Sequence, residues 1–230
     1  KQEEPARGEV DTLNLMASAE ICLGEWERAS EHLFRSQAIS EKLSYDWGHS
    51  MVSYLQGLKS LYQGDFQASE ESLKQSLRLC RELESRPRTA VCLGNLGLSG
   101  LASGRPGQAR KFIEEGRELA TACGYKQVEA FLLYCDGFSI LQERGRARSL
   151  LQRSLQLMQS IGVKESVELV LLCIAATLED PALSNRLSQA ALSFKASNRS
   201  VVPAYLGAYE VQVFQTAVSL DEAVSIALKV

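Results

Sequence analysis

The side chains that could do chemistry are few and scattered. Glu129 and Asp136 stand seven residues apart, which places both on one face of a helix, and paired carboxylates can exchange protons in acid–base catalysis. In an acidic helical chain the same spacing is the ordinary pattern of a solvated face. His49 follows Trp47 and Gly48 near an expected helix start, where it reads as a surface or capping residue rather than a base. Gly94, Gly97 and Gly100 form a glycine-rich stretch without the strand, Lys and Ser/Thr of a phosphate-binding loop. They read as points of close helix packing. No Ser/His/Asp or Cys/His set has support. No catalytic residue is assigned, and the chain is not expected to be an enzyme.

Metal and redox chemistry have equally little to work with. The six cysteines are Cys22, Cys80, Cys92, Cys123, Cys135 and Cys173, and no two have CxxC spacing. The only histidines, His32 and His49, make no ligand cluster with them, so neither a metal nor a cofactor is expected. Most of the cysteines lie in apolar helical pattern, where cysteine behaves as a small hydrophobe. With no leader segment visible, a reducing, cytoplasmic compartment is expected.

Composition narrows the partners. The chain has 230 residues, is 45% hydrophobic and 23% charged, and carries a formal net charge of −3. That balance argues against a dominant nucleic-acid surface, which needs a basic patch. Arg144, Arg146, Arg148 and Arg153 cluster locally and read as a solvated helix face. The longest apolar run, Leu169 to Ala176, is far short of the roughly 18 residues that cross a bilayer, so no membrane contact is expected.

The elements that position these residues are set by a repeat. Gly24, Trp26 and Ala29 are followed in the same register by Gly64, Phe66 and Ser69, and then by Gly104 and Ala109, with Pro106 where the aromatic stood; the glycines recur every 40 residues. A small residue, an aliphatic four later and a small residue seven later mark one helix face. That pattern reads Ala29, Leu33, Ser36, then Ser69, Leu73, Ser76, then Ala109, Ile113, Gly116, then Ala147, Leu151, Ser154. It continues more loosely as Leu183, Leu187, Ala190 and Ala223, Ala227, Val230. A fixed period of this length is the signature of stacked supersecondary units. The prediction is an all-α, right-handed superhelix of about six helix–turn–helix units. They lie near 9–43, 47–84, 87–123, 126–161, 164–196 and 203–230 and form a single α-solenoid domain over 1–230. Gly24, Gly64 and Gly104 would end each first helix with positive φ. Small residues would let paired helices approach, and Trp26 and Phe66 would fill the gaps between hairpins. The chain does not begin with Met and its last unit stops soon after Ala223, as expected of a piece of a longer protein.

These residues resemble tetratricopeptide repeats. The family pattern is a glycine in the first helix, a turn glycine, an aromatic two later, then Ala and an aliphatic. Unit two supplies Gly57, Gly64, Phe66, Ser69 and Leu73; unit three supplies Gly97, Gly104, Ala109 and Ile113; unit one keeps Gly24, Trp26 and Ala29. Units four to six diverge, and Gln142 stands where the fourth turn glycine belongs. The long period resembles the MalT-like subset of bacterial signalling ATPases and LuxR-type transcription regulators, in which the array is a sensor domain.

The resemblance implies a non-enzymatic module that binds a protein, a peptide or a small-molecule effector on a concave face lined by the first helices. Candidate groove positions are Asn14 and Ser18, then Met51, Tyr54 and Leu58, then Val91, Asn95 and Leu98, then Glu129, Leu132 and Asp136, and Glu168. The family's carboxylate clamp of Lys, Arg and Asn is not expected, since these positions hold Asn14 and Asn95 but no base. The acidic residues of units four and five would favour a basic ligand. A free-standing scaffold or adaptor is the alternative, a helical enzyme is a weaker third, and self-association through an open terminal repeat is a further expectation.

Overall fold

Leu, Ala, Ser and Glu are frequent and prolines number only five, so little interrupts helix formation. The computed structural model describes residues 3–163, 167–197 and 220–230, all helix and turn with no strand among them. Four helical hairpins come first: α1 (Glu3–Leu23) with α2 (Trp26–Leu43), α3 (Asp46–Gln63) with α4 (Phe66–Glu82), α5 (Arg86–Ala102) with α6 (Pro106–Cys123), and α7 (Lys126–Ser139) with α8 (Arg144–Ser160). A fifth pairs α9 (Val167–Ala176) with α10 (Pro181–Ser197), and α11 (Leu220–Ala227) follows. Each helix packs on its hairpin partner, each second helix packs on the next first helix, and successive first helices touch along the array. This is an α-solenoid of tetratricopeptide-like hairpins. The proposed start of unit six at Pro203, like Lys164 of unit five, lies outside the described residues.

The turns follow from local chemistry. Gly64 adopts φ +86°, a left-handed conformation that costs glycine nothing, and ends α3. The next residue, Asp65, accepts a hydrogen bond from the Ala68 amide and starts α4. Gly24 and Gly104 take the same hand at +76° and +73°. The fourth turn differs. The sequence predicts a first helix to Glu143, but α7 ends at Ser139, and the segment from Ile140 to Glu143 turns without glycine.

Hairpin packing depends on a second glycine series. A Cβ on Gly57 would come within 2.7 Å of Leu73 Cγ, and one on Gly97 within 2.4 Å of Ile113 Cγ1. Gly137 stands the same way against Leu151 at 2.8 Å, so unit four keeps the close approach although its turn diverges. Ala29 and Ala109 are fully buried on the opposing helices. Trp26 packs against the first-hairpin core of Ile21, Leu33 and Leu55, while Phe66 packs on the larger core running through α7 to α11.

The C-terminal helix closes onto the preceding pairs. Ala223, Val224 and Ala227 are buried in the large core. Arg148, expected on a solvated face, donates to the carbonyls of Thr177 at 3.1 Å and Val230 at 2.9 Å; Gln152 donates to the Ala227 carbonyl at 2.9 Å. These bonds satisfy carbonyls at the ends of α9 and α11 that have no partner within their own helices.

Candidate functional site: a cavity on the first helices

The first helices carry a cavity of about 600 Å³. Its walls begin at the starts of α3, α5 and α7, where Trp47, Pro87 and Gln127 recur at the 40-residue period. Deeper in the same helices come Tyr54, Leu58 and Tyr62 of α3, Val91 and Asn95 of α5, and Phe131 and Tyr134 of α7. Ser18 of α1 borders one side; Met158, Ile161, Val163 and Leu169 border the other. The lining is largely aromatic and aliphatic, with a few neutral polar groups and one charge, Arg88.

Arg88 sits in the first turn of α5. Its guanidinium carbon lies 5.1 Å from the centre of the Tyr54 ring and 5.9 Å from that of Trp47, within range of cation–π attraction. It makes no ion pair among the described residues. Tyr54 is held by a hydrogen bond with Asn95, whose own Nδ2 donates to the Val91 carbonyl at 3.0 Å. Burial pushes the Tyr54 phenol up to about 12, with the Arg88 charge opposing that shift.

Four of the groove positions taken from the repeat, Ser18, Tyr54, Leu58 and Asn95, line this cavity, and so does Val91. The others lie elsewhere. Asn14 is buried between α1 and α2, where Ser36 Oγ donates to its Oδ1 at 2.8 Å. Leu98 is buried in the large core. Met51 and Glu129 are half-buried away from the cavity, and Glu168 is buried in α9. Asp136 pairs with Arg117 of α6 at 3.3 Å.

Unit four shows why its positions miss. Glu129 and Asp136 fall 38 residues after Val91 and Leu98. The shortening of that unit occurs in its turn, after α7 has ended, so α7 itself keeps the 40-residue register. Phe131 and Tyr134 therefore face the cavity, and Leu132 is buried in the packing. The expected preference for a basic ligand rested on these carboxylates. None of them lines the cavity, whose only charge is cationic.

Arg88, Trp47, Tyr62, Phe131 and Tyr134 were not legible as site residues from the repeat alone. One signal was available. A basic side chain in the first turn of a helix opposes the helix dipole, so Arg88 stands against a local electrostatic preference. Among the described residues no group of three or more His, Cys, Asp or Glu side chains is placed to hold a metal ion, and no helix is long and apolar enough to cross a membrane.

Comparison with known families agrees with this geometry. Residues 52–122 match the tetratricopeptide repeat family. The match runs from within α3 to the last turn of α6, the two hairpins in which Gly57 meets Leu73 and Gly97 meets Ile113. It supports tetratricopeptide repeats in the half of the array that supplies Tyr54, Arg88 and Asn95 to the cavity. No curated protein matches the chain.

Proposed function

We propose that this tetratricopeptide array is a non-enzymatic interaction module that takes its partner on the face of the first helices. One observation carries the reading: side chains from α1, α3, α5 and α7, spread over more than a hundred residues of sequence, converge on one largely apolar cavity. Such faces bind by burying apolar surface, with a few polar groups fixing orientation. The proposed groove is thus built around Ser18, Tyr54, Leu58 and Asn95, on a single solenoid domain.

The 40-residue period favours the long-helix type of array. On that reading the domain is the sensor of a larger bacterial transcriptional or signalling regulator, and occupancy of the cavity shifts how the array docks on its neighbours. A reducing cytoplasmic setting would keep its six thiols free, as they stand in the structure.

The test is capture of partners by the native chain and by a Tyr54→Ala/Leu58→Ala variant of unchanged helix content and melting behaviour. A partner held by the native chain and lost by the variant is the expected result. A partner held equally by both would move the binding surface off the first helices and overturn this placement.

A further inference from the structure

We infer that the cavity is a receptor site for a small organic acid, with Arg88 as the anion anchor and the surrounding rings as the seat for an aromatic or aliphatic body. The inference rests on the interaction reading and names the ligand class of the same face.

Three observations converge. The volume, about 600 Å³, is within the range that encloses a drug-sized molecule. The walls supply stacking surface from Trp47, Tyr54, Phe131 and Tyr134. The single charge is Arg88, and neither an Asp nor a Glu lines the cavity. A cation beside desolvating rings and without a carboxylate partner among the described residues lacks the counter-charge such a site ordinarily carries. An incoming carboxylate supplies it.

Two further features have the same sign. The cavity is bordered by the first turns of α5 (Pro87, Arg88) and α7 (Gln127, Val128), and neither helix has a side-chain cap. Helix N-termini favour negative charge. The ring contacts of Arg88 also hold its guanidinium plane ready, so that little side-chain freedom is lost when an acid binds. Arginine can then bind the carboxylate through two parallel N–H···O bonds.

The probes are a matched pair: 8-anilinonaphthalene-1-sulfonate, an aromatic anion, and N-phenyl-1-naphthylamine, the same rings without the sulfonate. Fluorescence titrations of the native chain are compared with those of Arg88→Gln, Arg88→Lys and Tyr54→Ala, each checked for native helix content and melting. The expected result is one saturable site for the anionic probe. Arg88→Gln should weaken it about tenfold while changing the neutral probe less than about twofold. Arg88→Lys should fall between, and Tyr54→Ala should weaken both probes.

Equal binding of the two probes, or an Arg88→Gln effect the same for both, would overturn the anion anchor while leaving the cavity as an apolar site. Failure of both probes to bind would overturn the receptor site altogether. In that case a protein partner lost on Tyr54→Ala/Leu58→Ala would still sustain the interaction reading, so the two proposals fail separately.

Discussion

Ser76 and Ser50 meet across the α3/α4 hairpin: Ser76 Oγ donates to the Ser50 carbonyl at 2.8 Å, in the buried seam between the helices. Two hairpins later Ser154 Oγ donates in the same way to the Ala130 carbonyl at 2.7 Å. Between them Gly116 takes the equivalent place, where a Cβ would come within 3.1 Å of the Ala90 oxygen. The small residue seven after each repeat marker is thus either a hydroxyl that bonds the facing backbone or a glycine that lets it approach. Each carbonyl also belongs to a helix, so loss of the hydroxyl removes one net hydrogen bond rather than stranding an acceptor.

That distinction sets a magnitude. Ser76→Ala and Ser154→Ala should each lower unfolding free energy by about 1 kcal/mol, the net worth of a typical hydrogen bond. Ser149, exposed on α8, is the control. Ser149→Ala should change stability by less than about 0.5 kcal/mol, since an exposed helical site gains only propensity. Urea unfolding followed by circular dichroism reads all three. Equal effects at Ser149 and Ser154 would show that the seam bond adds nothing.

The glycines divide by what surrounds them. Gly97 faces Ile113 so closely that an added methyl would overlap it, whereas Gly107, in the first turn of α6, has nothing within 4 Å of the same position. Gly97→Ala should therefore destabilise by about 1–3 kcal/mol through overpacking. Gly107→Ala should stabilise by about 0.4–1 kcal/mol through the lower entropy of its unfolded chain. Opposite shifts in the urea midpoint are expected. Shifts of the same sign would contradict the packing role given to the Gly57, Gly97 and Gly137 series.

Much of this architecture was legible because its causes are local. A turn glycine needing positive φ, a marker face at helical spacing and a fixed period survive in the linear text as Gly24, Gly64 and Gly104. The cavity was legible only in part, because its walls come from helices 40 residues apart and no local rule brings them together. The register reached Tyr54, Leu58 and Asn95 and then slipped in unit four, where a shortened turn looked like a shortened helix. Trp47 and Arg88 lie in first turns, ahead of the positions a repeat-based groove assignment samples. Asn14 shows the converse: it is polar and in register, yet Ser36 holds it inside the hairpin.

The thiols separate by access more than by acidity. Cys22 is exposed, Cys123 is half-buried, and Cys80, Cys92, Cys135 and Cys173 are buried. A hydrogen bond from Cys92 is the main influence holding the Cys80 thiol down, to about 7, while burial raises Cys135 and Cys173. A low value alone would make Cys80 the reactive group. Buried between α4 and α5, it should instead be slow, because attack needs contact as well as thiolate. Brief treatment of the native protein with N-ethylmaleimide, followed by peptide mass spectrometry, should label Cys22 first and Cys80 only after denaturant is added. Early labelling of Cys80 would mean that the α4/α5 seam opens readily.

Tyr54 ties the cavity to stability at high pH. Its phenol is raised by burial to about 12 in the folded chain, against an unperturbed value of about 10. Raising the folded value favours the protonated form in the native state. The stabilisation is therefore fully present below about 10 and is lost as pH climbs through about 12. Ultraviolet titration of the phenolate band should show that the native chain and Tyr54→Phe differ only near the upper end of that range. The stability of the native chain should also fall more steeply with alkali than that of the variant. Filling the cavity with an aromatic anion should move the Tyr54 titration later still, since a bound negative charge opposes a second one beside it. Coincident alkaline limbs for the two chains would show that Tyr54 is open to water, and the cavity wall it forms would have to be redrawn.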